Sequence, residues 1–144
     1  MWPVVMIAVG AVKGAMEGDS IVDESEFAAK DLESEGTRIR KNAYGEAKDV
    51  YVQEELASGV DQALEASNNI ASGLSEHTAA NQMLAANRQA AMRESQEIIN
   101  EGNRMNELYR NRAATTRKIG KERATKALVN SIVSGGVAGY GMGK

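Results

Sequence analysis

The chain has 144 residues, enough for one domain, but only 4% of them are aromatic and none is cysteine. The lack of cysteine excludes a disulfide framework and a thiolate metal site, and an apolar fraction dominated by alanine predicts a thin core. The formal net charge of −3 hides an asymmetry, because residues 1–72 carry six Lys or Arg against fourteen Asp or Glu, whereas residues 73–144 carry eleven against six. The composition predicts an all-α chain of elongated helices that bury their apolar faces against partners.

The N-terminal segment, residues 1–20, begins with an apolar run and continues into Gly10, Gly14 and Gly18. It has no basic region ahead of the apolar run and no clear cleavage site, so we do not expect a secretory signal peptide. Small residues spaced four apart let apolar helices approach closely in lipid. Lys13 interrupts the run, so we do not expect a solitary membrane-spanning helix here.

Residues 21–100 lack proline and are predicted to form a long helical region. Two adjacent, mostly apolar residues recur every seven positions across residues 56–99, and only the pair at His77 is polar. A seven-residue period predicts a left-handed coiled coil with a partner helix, hence a homo-oligomer. The residues predicted to form this oligomer seam are Leu56, Val60, Leu64, Ile70, Leu74, Leu84, Met92, Ile98 and Ile99.

Three residues after the first member of each early pair, the side chains are small, as at Gly59 and Gly73. Glycine costs about 1 kcal/mol relative to alanine inside a helix, so its recurrence predicts close backbone approach on that face. Glycine with nearby capping residues predicts helix breaks at 34–37 and 100–103. The region is therefore expected to contain two or three helices.

Residues 103–127 are predicted to form a basic helix. Its candidate contacts to DNA or to lipid headgroups are Arg104, Arg110, Arg112, Arg117, Lys118, Lys121 and Arg123. Such a cluster can bind phosphates by counterion release without reading sequence, while Tyr109, its one aromatic residue, gives poor support for base stacking. A solvated helix face that meets the acidic half of a neighbouring subunit is an equally favoured interpretation.

Residues 128–144 form an apolar tail with no charged residue before Lys144. Gly135, Gly139 and Gly143 repeat the four-residue spacing of the N-terminal glycines, which predicts packing of small residues in a membrane. A tail rich in glycine is slightly more often simply flexible. Two matching rows at opposite ends nevertheless add support for conditional membrane insertion as an oligomer.

No pattern in the sequence indicates catalysis. His77 is the only histidine, and the chain has no second histidine or cysteine to share a metal with it. Its place in the seam favours a polar residue that fixes helix register. We therefore predict a protein that is not an enzyme, with no cofactor, no metal site and no small-molecule substrate.

The layout of the chain resembles that of the smallest internal virion protein of T7-like podoviruses. The resemblance rests on the apolar start at residues 3–10, the helical middle around residues 85–93 and the small-residue end at 131–139. It implies a component of the DNA-ejection apparatus that is packaged inside the capsid near the portal with other internal virion proteins. It further implies release at infection and assembly into a channel in the host outer membrane.

Two other functions fit the same residues. A structural adaptor of the virion, such as a head–tail or capsid-lining protein, needs no membrane activity, and the weak hydrophobicity of both ends favours it. A small helical protein that binds nucleic acid would use the basic helix alone.

Overall fold

A computed structural model describes residues 2–72 and 77–141, and it describes side-chain surroundings for residues 11–64, 66–67 and 82–135. The chain forms two long helices, α1 over Trp2–Ser72 and α2 over His77–Gly141, which pack against each other. No strand occurs in the described ranges. The predicted all-helical fold is therefore confirmed.

The helix breaks predicted at 34–37 and 100–103 are wrong, because α1 and α2 run without interruption through both places. Gly36 and Gly102 are buried inside the helices rather than placed at their ends. A Cβ added at Gly102 would overlap the Cβ of Ala43 on the opposite helix. Glycine is thus required there because two helices come close together, and the packing outweighs its low helix propensity.

The chain divides into two compact units. Unit 1 comprises Met1–Gly36 and Leu108–Lys144, and its described helices run antiparallel. Gly14 lies against Ser131 and Leu128, whereas Gly18, further along α1, lies against Ala124, nearer the start of α2. A Cβ added at Gly14 would overlap the side chain of Ser131, whereas a Cβ added at Gly18 would make ordinary van der Waals contacts with Ala124.

Unit 2 comprises Thr37–Glu107 and contains a second antiparallel contact. Gly102 packs against Ala43 and Arg40, and the hydroxyl of Ser95 donates a 2.9 Å hydrogen bond to the backbone carbonyl of Ala47. A serine hydroxyl reaches the opposite backbone only where the helix axes are close. Small side chains therefore set the interhelical distance in this unit too.

One row of small residues on each helix has an eleven-residue spacing. All members of the two rows are buried or half-buried: on α1, Gly14, Ser25, Gly36, Ala47 and Ser58; on α2, Ala91, Gly102, Ala113, Ala124 and Gly135. Eleven residues in three turns give about 3.67 residues per turn, close to the period of a straight α-helix, whereas a heptad gives 3.5. The small residues at the contact between α1 and α2 therefore repeat every eleven residues, not every seven as predicted for the seam.

The apolar core is thin. Its buried apolar residues, among those described, are Ala29, Ala47, Leu84, Ala91 and Ala113. Only one of these is larger than alanine, and burial energy grows with the apolar area removed from water. Larger apolar side chains at the contact, such as Ile21, Ile39 and Ile98, are half-buried, so each contributes less than a fully buried side chain of its size would.

Candidate interaction surfaces

The residues of the predicted oligomer seam separate into two groups in the structure. Leu84 is buried in the hairpin, and Ile98 and Ile99 are half-buried. The others with described surroundings point to solvent: Leu56 (68% exposed), Val60, Leu64 (59% exposed) and Met92. The predicted seam positions Ile70 and Leu74 lie outside the residues whose surroundings are described.

Four exposed apolar residues of α1 form a continuous row, with a spacing of four: Val52, Leu56, Val60 and Leu64. Residues four apart lie above one another on a helix and form a ridge on its surface. A Cβ added at Gly59, beside this ridge, would meet no atom within 4 Å. The close backbone approach predicted at Gly59 is therefore not made with any other part of the described chain.

The predicted phosphate contacts of the basic helix also differ in their surroundings. Arg104 forms an exposed 2.9 Å ion pair with Glu101, and the guanidinium of Arg112 lies 5.7 Å from the ring centroid of Tyr109. The other exposed side chains of the set are Arg110, Lys118, Lys121 and Arg123. These cations remain accessible to an anionic partner.

Arg117 is held inside unit 1 by two carboxylates of α1. Its Nε donates a 2.8 Å hydrogen bond to Glu26 and its Nη1 a 2.5 Å bond to Glu33, while Nη2 donates to both at 3.1 Å. The planar guanidinium suits such paired contacts. Arg117 therefore ties the two helices together, and its hydrogen-bonding capacity is directed at the chain's own carboxylates.

These contacts shift the ionisation of all three groups. Hydrogen bonds from Arg117 lower the pKa of Glu26 and the pKa of Glu33 below their ordinary value of 4.5, and the two carboxylates raise the pKa of Arg117. Each shift favours the charged form. The cluster is therefore fully ionised at neutral pH and becomes weaker only in acid.

Some of the small residues predicted to pack in a membrane instead lie at the contact between α1 and α2. Gly14 is buried against α2, and Gly135 is half-buried. The predicted packing at Gly10, Gly139 and Gly143 lies outside the residues whose surroundings are described. Within the described part of either helix, no stretch is long and apolar enough to cross a membrane.

The depressions on the described surface are shallow grooves between the two helices. One groove in unit 2 is lined by apolar residues that include Ile39, Ile98 and Met105, with glutamates at its edges. The described residues contain no group of three His, Cys, Asp or Glu side chains able to hold a metal ion. The grooves are open to solvent.

Sequence reasoning did not predict three features of the contact between the helices. The eleven-residue row of small side chains is present in the sequence, but the seven-residue pattern of larger residues was weighted above it. Glu26 and Glu33 are seven apart and lie on one helix face, yet their partner Arg117 is 84 or more residues away and no local pattern reveals it. Asn106 is a third, a buried polar residue, 6% exposed, whose Oδ1 accepts no hydrogen bond from a described residue.

Comparisons with known proteins identify no relative. The chain matches no protein-family model, no curated protein and no solved structure. Its function is therefore inferred from its own surfaces: an exposed apolar ridge, an exposed set of cations and a thin contact between two long helices.

Proposed function

We propose that this chain is a structural subunit of an oligomer, an internal virion protein of a phage DNA-ejection apparatus. In this proposal it is packaged near the portal, released at infection, and assembled with other internal virion proteins into a channel in the host outer membrane. The phage assignment rests on the resemblance in layout described above. The observation that carries the subunit role is the contrast between fully buried residues that are mostly alanine and exposed leucine and valine side chains.

The free energy gained by burying the exposed leucine and valine side chains favours association with a partner. Burying a leucine or valine side chain fully contributes about 1.5–3 kcal/mol, more than the single methyl group of alanine can. Leu56, Val60 and Leu64 are more than half exposed in the single chain. A partner that covers this ridge therefore adds more stabilisation per residue than the alanines between the two helices do.

The exposed cations support contact with anionic groups during ejection. Arg110, Arg112 and Lys118 are exposed on α2, and basic side chains near a bilayer each contribute about 1 kcal/mol of attraction to anionic lipids. The same cations can neutralise DNA phosphates. Either partner would be reached without rearranging the cluster around Arg117.

A second candidate function is a structural adaptor of the virion that has no membrane activity. The burial of Gly14 and Gly18 against α2 favours it. Small residues already packed inside the hairpin are not free to pack against neighbouring helices in lipid. The adaptor would use the exposed ridge to contact a capsid, portal or tail protein.

Dye release from vesicles tests the proposal against this alternative. The purified full chain, added to vesicles containing anionic lipid, is expected to release dye in proportion to the amount of oligomer formed. Replacing Val60 and Leu64 by Gln should reduce both oligomer and release, while Gln62→Ala, a substitution at an exposed polar position nearby, should leave both unchanged. An oligomer that neither binds the vesicles nor releases dye would contradict the channel and favour the adaptor.

A further inference from the structure

The groove in unit 2 combines an apolar floor with acidic edges. Ile39 of α1 and Ile98 and Met105 of α2 are half-buried along it. Glu46 and Glu97 stand exposed at its two sides and form no ion pair with any residue whose surroundings are described. Glu101 also lines the groove but is paired with a neighbouring arginine on its own helix. The groove thus offers apolar contact and two uncompensated negative charges.

A surface that combines apolar residues with positive charges, rather than negative ones, lies on α2 in unit 1. Leu108 (41% exposed) and Ile119 (43% exposed) are separated by eleven residues, or three helical turns, and so lie on one face. Arg112 and Arg123 each follow one of them by four residues and are exposed on the same face. We call Leu108, Arg112, Ile119 and Arg123 the basic–apolar face.

The charges on this face are available to a partner. Arg112 and Arg123 form no ion pair with residues of described surroundings, in contrast to Arg117, which is held by two carboxylates. Glu24 lines the same depression as Arg123, so one negative charge lies near that end of the face. The face remains net positive and retains two exposed branched aliphatic side chains.

We propose that the acidic groove of unit 2 binds the basic–apolar face of a second copy of this chain. Both surfaces have the same mix of aliphatic and charged residues with opposite sign, and every copy carries both. Opposite charges across an interface fix its register and suppress wrong partners, and surfaces repeated on identical chains allow closed symmetric assembly. The inference rests on the proposed role as an oligomer subunit and names one interface of that oligomer.

A charge-reversal experiment on the full chain tests this interface by sedimentation velocity. Glu46→Arg with Glu97→Arg makes both surfaces basic, and Arg112→Glu with Arg123→Glu makes both surfaces acidic. Each double variant alone is expected to self-associate about tenfold more weakly than the unmodified chain, because like charges then face each other. Mixing the two variants in equal amounts should restore association, because both contacts again join opposite charges.

A matched control separates this effect from a change in net charge. Lys41→Glu with Arg88→Glu makes the same charge change at two exposed positions that belong neither to the groove nor to the basic–apolar face, and it should leave self-association within about twofold of the unmodified chain. Circular dichroism establishes that each variant is helical.

The outcomes distinguish this inference from the proposed function. If the unmodified chain associates but the charge reversals do not weaken association, the proposed groove–face interface is wrong. The same holds if mixing the two variants fails to restore association. In both cases the proposed role as an oligomer subunit is unaffected. A chain that never associates would overturn both. If the arginine reversals abolish binding to duplex DNA and leave self-association unchanged, the face serves phosphates rather than a second copy, and the inference is overturned.

Discussion

Replacing Gly102 by alanine is expected to lower the free energy of unfolding by up to about 2 kcal/mol. The added methyl group overlaps the Cβ of Ala43, which is fixed to the backbone of α1 and cannot rotate away. Overpacking of this kind costs about 1–3 kcal/mol, and the better helix propensity of alanine offsets about 1 kcal/mol of it. Urea unfolding followed by circular dichroism measures the difference.

The same glycine-to-alanine change elsewhere provides the control. Gly45 and Gly59 have no atom within 4 Å of an added Cβ, so alanine at either position should raise the free energy of unfolding by about 0.5–1 kcal/mol. Adding Ala43→Gly to the Gly102→Ala variant should recover part of the loss, because it removes the overlapping atom. A Gly102→Ala variant as stable as Gly59→Ala would show that the helices are not in close contact there.

Replacing Arg117 by methionine is expected to lower the melting temperature at neutral pH more than any other change in the basic helix. The substitution removes four hydrogen bonds to α1 and the cation that lies between Glu26 and Glu33. Proximity of Glu26 already raises the pKa of Glu33 slightly against the larger effect of Arg117. Lys118→Met, at the adjacent exposed position, is the matched control and should change the melting temperature little.

The effect of Arg117→Met should depend on pH in a defined direction. Because the pKa values of Glu26 and Glu33 are lowered from 4.5 in the folded chain, their contribution to stability is fully present above that pH. It is lost as the pH falls through the lowered values, where both carboxyls take up protons. The melting-temperature difference between unmodified chain and variant should therefore be constant near neutrality and shrink well below pH 4.5. A difference that persisted unchanged in acid would contradict the ion-pair cluster.

Composition was sufficient to predict the helical class, because helix formers are frequent and proline is confined to Pro3. It was not sufficient to predict helix ends. Local rules predict that a helix ends at the glycines at 36 and 102. A glycine that is required by close packing inside a helix cannot be distinguished from a helix terminator by residue type alone. Only the opposite helix, with Ala43 against Gly102, distinguishes the two roles.

The interaction surfaces were predictable in kind but not residue by residue. The sequence identified a cluster of cations, yet it could not separate Arg117, which faces two carboxylates of α1, from Lys118, which faces solvent. Periodicity found the apolar residues, and the structure then divided them between the hairpin contact, as with Leu84, and the exposed ridge, as with Leu56. Such divisions depend on contacts between residues far apart in sequence, and the spacing along one helix does not determine them.

We expect this chain to require copies of itself or other partners to bury its exposed apolar ridge. Sedimentation velocity combined with thermal unfolding, repeated as protein concentration is raised about a hundredfold, tests it most directly, because the melting temperature of an oligomer rises with concentration by mass action. We predict an associating species whose melting temperature increases over this range, and weaker association when Val60 and Leu64 are replaced by Gln. A folded monomer with a melting temperature independent of concentration would contradict the account.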